Sequence, residues 1–297
     1  MFNPFEGLPT SGPATLALDL ESPSAARIYD AYRDGCENWS IDRRFAAAVA
    51  EAMPSVSLIA RANREFVHRA VIALARTGVV QFLDLGAGIP AEPHLHETVQ
   101  AVDPDARVVY VDFEPVAAAK LAITADEDRE RLAAVHRDVR DVQGVWEDAI
   151  ASSVFDPARP VALVFGAVLH FIPDHDPAWP GLGQVLAAYR ALLPPGSALV
   201  MTHATDDGVP ELIARQIRAV ADRYRETTTP AVLRSRAEVE TLFGDFELVA
   251  PGLVWVPQWR PDLNESPATR DLAADPAGSC LLGGVVRKPS TASGAER

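Results

Sequence analysis

Apolar residues in this chain fall into short blocks, and the spacing within those blocks changes along its length. From Ser24 to Arg76 the period is helical. Phe45, Val49 and Met53 recur at steps of four, and so do Phe66, Ala70 and Leu74. Pro54 divides the two runs, because a proline disfavours helical backbone in the residue before it. The middle of the chain then alternates. VVQFLDL (79–85), RVVYVD (107–112), LAAVHRD (132–138), VALVFGAV (161–168) and GSALVMTH (196–203) read as strands, with helical patterns over 93–101 and 115–125. Continuous apolar strands interleaved with helices predict a parallel sheet covered on both faces. The last third differs. A helix over Pro210 to Arg225 carries Leu212, Ile213, Ile217, Val220 and Tyr224 on one side. FELVAPGLVWV (246–256) and SCLLGGVVRK (279–288) follow as two strands joined by a polar loop, which predicts antiparallel neighbours.

The expected fold class is therefore α/β, a doubly wound, mostly parallel sheet that ends antiparallel, preceded by an N-terminal helical cap. Residues 1–22, rich in Pro, Gly, Ser and Thr, read as a flexible arm, and 289–297 as a disordered tail. Between them, 23–77 form the cap and 78–288 the α/β domain.

Composition narrows the function. The 297 residues carry a net charge of −14, and Lys120 and Lys288 are the only lysines. Such a surface repels phosphate backbones and anionic lipid, so no nucleic-acid or membrane partner is expected. The two cysteines, Cys36 and Cys280, lie far apart without a CxxC spacing, which suits a reducing compartment and offers neither disulfide framework nor zinc site. No signal-peptide order is visible at the N-terminus, and no apolar run approaches a membrane span. The chain reads as soluble and cytoplasmic.

In open α/β sheets ligands bind beyond the carboxyl ends of the strands. Asp84, Gly86 and Gly88 follow the first run, Asp112 ends the second, Asp138 the third, and His170 and His203 follow the fourth and fifth. Asp112 at a second-strand tip suits a ribose diol, with a cap for the helix that follows as the plainer alternative. GAGIPA satisfies the loose dinucleotide fingerprint, so spacing alone leaves a nicotinamide cofactor open. Two residues weigh against it. Asp84 would set a negative charge near a pyrophosphate, and Pro90 removes an N–H where a phosphate wants donors. Both favour a cofactor that is cationic at this end, and S-adenosylmethionine, with its ammonium and sulfonium, meets that demand.

The stretches RIYDAYRDGCENW, RANREFVHRAV, QFLDLGAGIP, HLHE, DPDARVVYVDFEP, HRDVRD, LHFIPD, PGSALVMTHATD and PGLVWVPQWRP together resemble a bacterial family of predicted S-adenosylmethionine-dependent methyltransferases, over roughly residues 25 to 288. The resemblance implies a Rossmann-like methyltransferase fold of seven strands with the last antiparallel. It implies that Asp84, Gly86 and Gly88 line the methionine part of the cofactor and that Asp112 holds the ribose. Phe113 would pack on adenine, Asp138 and Val139 would sit at its amino group, and Leu169 and His170 near the sulfonium. Two positions depart from the family pattern: Asp34-Gly35 replaces a glycine pair, and Phe113-Glu114 stands where Asn-Asp is frequent.

Methyl transfer needs an in-line approach, and a base only when the acceptor carries a proton that must leave. His170 and His203 are the candidate bases, with loop hydrogen bonding as the bland alternative for each. His94 and His96 in HLHE, placed on a helix, would point to different faces, so no metal is expected. Tyr29, Tyr32, Asn38 and Trp39 either close over the site or simply pack helices, and Asn63-Arg64 either caps or lines it. The fourth strand lacks the Asn/Asp-Pro-Pro-aromatic sequence of enzymes that methylate planar exocyclic nitrogens. The reading is a methyltransferase with a small-molecule oxygen or nitrogen acceptor. The alternatives are a cofactor-binding protein without transferase activity and, less favoured, a dinucleotide oxidoreductase. Oligomeric state is not legible.

Overall fold

The five apolar runs of the middle become parallel strands because both their faces find cover. The structure, a computed structural model, describes residues 19–289 apart from Glu226, Thr228, Asn264 and Glu265. Most of the arm (1–18) and the tail (290–297) lie outside the described residues. The strands are β1 (Gln81–Leu85), β2 (Arg107–Asp112), β3 (Leu132–His136), β4 (Ala162–Phe165) and β5 (Ala198–Ala204), then β6 (Glu247–Leu248), β7 (Val254–Trp255) and β8 (Leu281–Arg287). Their order is β3-β2-β1-β4-β5-β8-β6, with β7 also paired to β8. All pairs among β1–β5 are parallel, and β8 runs antiparallel to β5.

The run 246–256 is not one strand. Pro251 lacks the N–H a ladder needs, and Gly252, at φ 96°, turns the backbone. The two short pieces on either side of this break pair separately with β8. Counting them as one strand position returns the seven-stranded plan.

Side chains alternate across the sheet into two cores. Phe82, Val108, Tyr110, Val164 and Val200 join helices α1 (Ala25–Tyr32), α2 (Ser40–Ala52) and α3 (Val56–Ala75) in one cluster. Leu83, Leu85, Val111, Leu163 and Met201 join α6 (Val142–Ala151) and α7 (Leu182–Leu192) in the other. Because the N-terminal helices share a core with the sheet, the boundary drawn at 77/78 is one of chain order. α2 and α3 meet at 101° across Pro54, and no single helix among the described residues is long and apolar enough to cross a membrane. The remaining helices are α4 (Leu95–Gln100), α5 (Pro115–Ala125), α8 (Glu211–Tyr224), α9 (Arg236–Thr241) and α10 (Pro267–Asp271). In α8, Leu212 departs from the predicted apolar face and is 60% exposed, whereas Val220 and Tyr224 are buried.

Candidate active site

The topology places β1 and β4 side by side at the centre, and the turn after β1 is built by its neighbours. Gly86 and Gly88 hold φ of 75° and 68°, backbone that other residues adopt at a cost. At Gly86 an added Cβ would lie 2.6 Å from Val168 Cγ2, whereas at Gly88 it would meet nothing within 4 Å. Gly86 is thus required for packing, and Gly88 leaves a bare floor. The amides of Gly86 and Ala87 both donate to the Val111 carbonyl, at 2.9 and 3.1 Å. The Gly88 amide donates to Asp112 Oδ2 at 2.7 Å. Three N–H groups that a phosphate cradle would need are therefore spent inside the protein.

Asp112 is buried at the tip of β2, where Oδ1 also accepts the Glu114 amide at 2.8 Å. Burial pushes its carboxyl up to about 6, against the pull of these N–H bonds. Each oxygen retains a lone pair for a further donor. Glu114 caps α5 through the Ala117 amide at 2.7 Å and takes Arg27 at 2.6 Å. Arg27 is 1% exposed and also binds Asp42 at 2.9 Å, tying α1 and α2 to the loop that carries Asp112.

Beyond β3, Asp138 is held by Arg140 through contacts of 3.0 and 2.7 Å. Arg140 continues to Asp176 at 3.1 Å and lies 4.9 Å over the Trp179 ring. After β4, Ala167 sits at φ 59° with its amide bound to Thr202 Oγ1 at 2.7 Å. A non-glycine residue in that conformation is strained and needs such anchoring.

These segments form one wall of a continuous cavity of about 1430 Å³, its open mouth included. One half is lined by Gly86–Gly88, Asp112–Glu114 and Asp138–Arg140; past Gly166–Val168 and His170 it runs beneath α1, α3 and α8. Every Asp, Glu and Arg among its lining residues belongs to the first half. The second half presents Tyr29, Tyr32, Ile59, Phe171, Val220 and Tyr224.

The comparisons with known proteins agree. A family model described as S-adenosyl methyltransferase matches residues 11–289. The chain belongs to this methyltransferase family, whose members use S-adenosylmethionine. The chain is similar to a candidate methyltransferase of Thermobifida fusca YX, at 35% identity and a TM-score of 0.81 over 92% of this chain and 97% of that one. It is equally similar to a DUF574 family protein of Streptomyces avermitilis, with 35% identity and a TM-score of 0.81 over 92% and 100% of the two chains. It also matches a candidate S-adenosyl-L-methionine-dependent methyltransferase of Mycolicibacterium paratuberculosis, 26% identical over 189 residues, which is 61% of this chain and 55% of that protein. The chain thus spans about half the length of the curated relatives it matches.

Of the residues expected at the methyltransferase site, Gly86, Gly88, Asp112, Phe113, Asp138, Val139 and His170 line the cavity. Asp84, Leu169 and His203 do not. Asp84 is part-buried on the α3 side of β1 and makes no side-chain hydrogen bond among the described residues. Its carboxyl is pushed up to about 7 by burial, with Arg64 favouring and Asp112 opposing the anion. Leu169 points into the core, fully buried, because the chain coils there as a 3-10 turn; Val168 takes the wall position instead. His203 is 1% exposed with both nitrogens engaged: Nε2 accepts from Arg234 at 2.8 Å, so Nδ1 carries the proton donated to the Ala204 carbonyl at 2.7 Å. That bonding corrects the expectation of a base at His203, since no lone pair is free. His170 differs. Among the described residues its ring has no hydrogen-bond partner, Nδ1 is shut off from solvent, and burial pushes its pKa down to about 3.

The HLHE stretch also needs a correction. His94 is the extended N-cap of α4 rather than part of the helix, so its ring stacks on His96 at 5.2 Å instead of diverging. His96 Nδ1 pairs with the Tyr110 hydroxyl at 2.8 Å, Glu97 takes the His94 amide, and neither lines the cavity. Among the described residues no three His, Cys, Asp or Glu converge on a metal position. Arg64 donates to the Ala91 and Pro93 carbonyls, holding the loop after the turn. Asn63 donates to the Tyr29 hydroxyl at 3.0 Å, and Tyr29 in turn to the Ala60 carbonyl at 2.8 Å.

Arg140 and the α8 wall were not foreseen. HRDVRD does carry a signal for the first, an arginine two residues after the acid it binds. Ile217, Val220 and Tyr224 read from sequence as ordinary helix packing.

Proposed function

We propose that this methyltransferase acts on a small molecule, through an oxygen or nitrogen acceptor held in the second half of the cavity. One observation carries the reading: the cavity is continuous from the β1 turn to an uncharged chamber, so two ligands can meet near Gly166–Val168 and His170. When bound, S-adenosylmethionine supplies an electrophilic methyl on its sulfonium. The residues present fit it. Gly88 leaves open floor and Asp112 has lone pairs for a ribose diol, while Asp84, behind the lining and without a hydrogen-bond partner among the described residues, would take an ammonium through an intervening water. We assign Phe113, Asp138 and Val139 to the adenine and Val168, in place of Leu169, to the sulfonium region. His170 is the group at hand to receive a proton; His203, fixed by Arg234, holds the wall behind it. Holding two reactants in line supplies most of the rate here.

The same reading keeps the protein in the cytoplasm, whose reducing conditions suit its two free cysteines, and gives it no nucleic-acid or membrane partner, on the strength of its net charge of −14. Calorimetry with S-adenosylhomocysteine is the test. Wild type should bind and Asp112→Ala should bind at least about tenfold more weakly. Equal binding by the two, or none by wild type, would sink the assignment. Binding without product over a broad acceptor panel would leave a cofactor-binding protein that transfers nothing.

A further inference from the structure

The second half of the cavity tells more about the acceptor than its size. Among the lining residues there, no Lys, Arg, Asp or Glu faces the chamber. A charged substrate would lose its hydration and gain no counter-ion, a cost that excludes carboxylates, phosphates and free amino acids. Four aromatic rings line the space: Tyr29, Tyr32, Phe171 and Tyr224. Phe171 lies tilted between His170, at 4.5 Å between centroids, and Tyr224, at 5.2 Å. Aromatic walls of this kind favour a flat ring as guest.

Besides the Thr229 hydroxyl, whose Oγ1 is buried without a partner among the described residues, two polar features interrupt the apolar lining, and both are incomplete. The first is His170, 8% exposed, whose imidazole has no partner among the described residues. The second is a pair of hydroxyls. Tyr32 and Tyr224, 5% and 6% exposed, approach each other at 3.1 Å. A phenol has one proton, so in this pair one hydroxyl donates and the other keeps its proton unspent. Tyr29 is different, its proton being committed to the Ala60 carbonyl. Buried polar groups left open in this way are complements of something polar on a ligand. The imidazole has one N–H and one lone pair unspent, so its bare nitrogen can take a donor, and the tyrosine pair can give its free proton to an acceptor.

Building on the methyltransferase reading, we propose that the acceptor is an uncharged aromatic small molecule. Its ring hydroxyl is the methylated group, directed at His170, and a second oxygen, carbonyl or ether, accepts from the Tyr32–Tyr224 pair. A hydroxyl is preferred to an amine because only the hydroxyl needs its proton removed to give a stable product. The hydroxyl oxygen forms the new O–C bond with its lone pair while the C–S bond breaks and leaves its electrons on the thioether sulfur. The proton passes to the His170 imidazole. Once the O–C bond has begun to form, that proton is on an oxonium, acidic enough for a weak base to take. One positive charge leaves sulfur as one appears on the imidazole, so the dry chamber never holds an added charge.

The test uses the full chain loaded with S-adenosylhomocysteine, titrated with umbelliferone and hydroxyflavone, and with umbelliferone carboxylic acid and the aminocoumarin analogue. The neutral phenols should bind, the carboxylic acid about tenfold or more weakly. With S-adenosylmethionine the neutral phenols should yield aryl methyl ethers. Tyr32→Phe with Tyr224→Phe should raise KM for umbelliferone about tenfold and leave S-adenosylhomocysteine affinity within about twofold. His170→Gln should lower kcat more than it raises KM. Tighter binding of the carboxylic acid, faster methylation of the amine, no effect of the tyrosine variants, or failure of both phenols on a cofactor-loaded protein would each overturn the proposal. Failure of S-adenosylhomocysteine itself to bind would overturn the transferase reading first, and the acceptor with it.

Discussion

Asp84 makes the cofactor assignment measurable through pH. Its carboxyl is part-buried, without a hydrogen-bond partner among the described residues, and is pushed up to about 7 chiefly by burial. A carboxyl raised in this way stabilises the fold fully below its unfolded value, about 3.9, and loses that contribution as pH rises through 7. The ammonium of a bound cofactor reverses the balance, because it wants the anion. At pH 5, two units below 7, a proton must leave Asp84 before the ion pair forms, which weakens binding by up to about a hundredfold relative to pH 7 and above. Solvent reaching the part-exposed group trims this toward about tenfold. Calorimetry with S-adenosylhomocysteine at pH 5, 6 and 7, in buffers of different ionisation heat, reads both affinity and protons. Near pH 6, binding should release roughly 0.9 proton from Asp84. Asp112, raised to about 6, adds a smaller share. Asp84→Asn should abolish most of the release and flatten the affinity profile, leaving the share of Asp112. A flat wild-type profile with no proton release would refute the placement of the ammonium at Asp84.

Four further outcomes follow from the same structure. Gly86→Ala, which sets a methyl 2.6 Å from Val168 Cγ2 at φ 75°, should destabilise by about 2 kcal/mol or more in urea unfolding, with partial relief from Val168→Ala. Gly88→Ala should cost only about 1 kcal/mol of stability yet weaken S-adenosylhomocysteine binding, because its methyl enters open cavity. Arg27→Met strands Asp42 and Glu114 and should cost about 3–5 kcal/mol, and Arg27→Met with Glu114→Gln should recover part of it; a loss under about 1 kcal/mol would refute the network. Finally, His68, His170 and His203, all pushed down to about 3 by burial, stabilise the fold above the unfolded value near 6.5 and forfeit that as pH falls toward 3. Each histidine costs about 1.4 kcal/mol per unit below 6.5, partly offset by Asp84 and Asp112, so thermal melts should show lower stability at pH 5 than at pH 7.5.

What the sequence disclosed follows from how local its causes are. The parallel strands were legible because burial on both faces leaves an uninterrupted apolar run, and the turn after β1 because left-handed backbone selects glycine. Pro251 and Gly252 broke the run 246–256 in a way their chemistry announces, yet the apolar residues on either side masked it. Leu169 faces the core and Val168 the cavity for a geometric reason. A strand end and a 3-10 turn differ in which residue faces the cavity, and the shift from Leu169 to Val168 is one position. His203 reads like His170 in the sequence; only Arg234, far along the chain, distinguishes an occupied imidazole from an open one.

The cap illustrates the same limit from the other side. Asp34 stands at φ 63°, where the resembled family places glycine, and Asp is among the few side chains that tolerate that backbone. Its carboxylate pairs with Arg61 of α3 at 2.6 Å, so the departure keeps the turn and adds a tether. Substitution here therefore need not alter the cofactor half, which Arg27 anchors independently through Glu114. What it borders is the chamber wall, because α1 carries Tyr29 and Tyr32 just before the turn and α3 carries Ile59 and Ala60 opposite Asp34's partner. On the proposed reading the glycine turn and Asp112 obey one demand, a common cofactor, and leave a pattern that a single sequence can show. The chamber is assembled from α1, α3, α8, the turn that carries His170 and Phe171, and residues 229–233, five segments with no shared motif, each answering first to local packing. Acceptor chemistry becomes readable only when those segments stand together and the polar groups among them are counted for what they still lack.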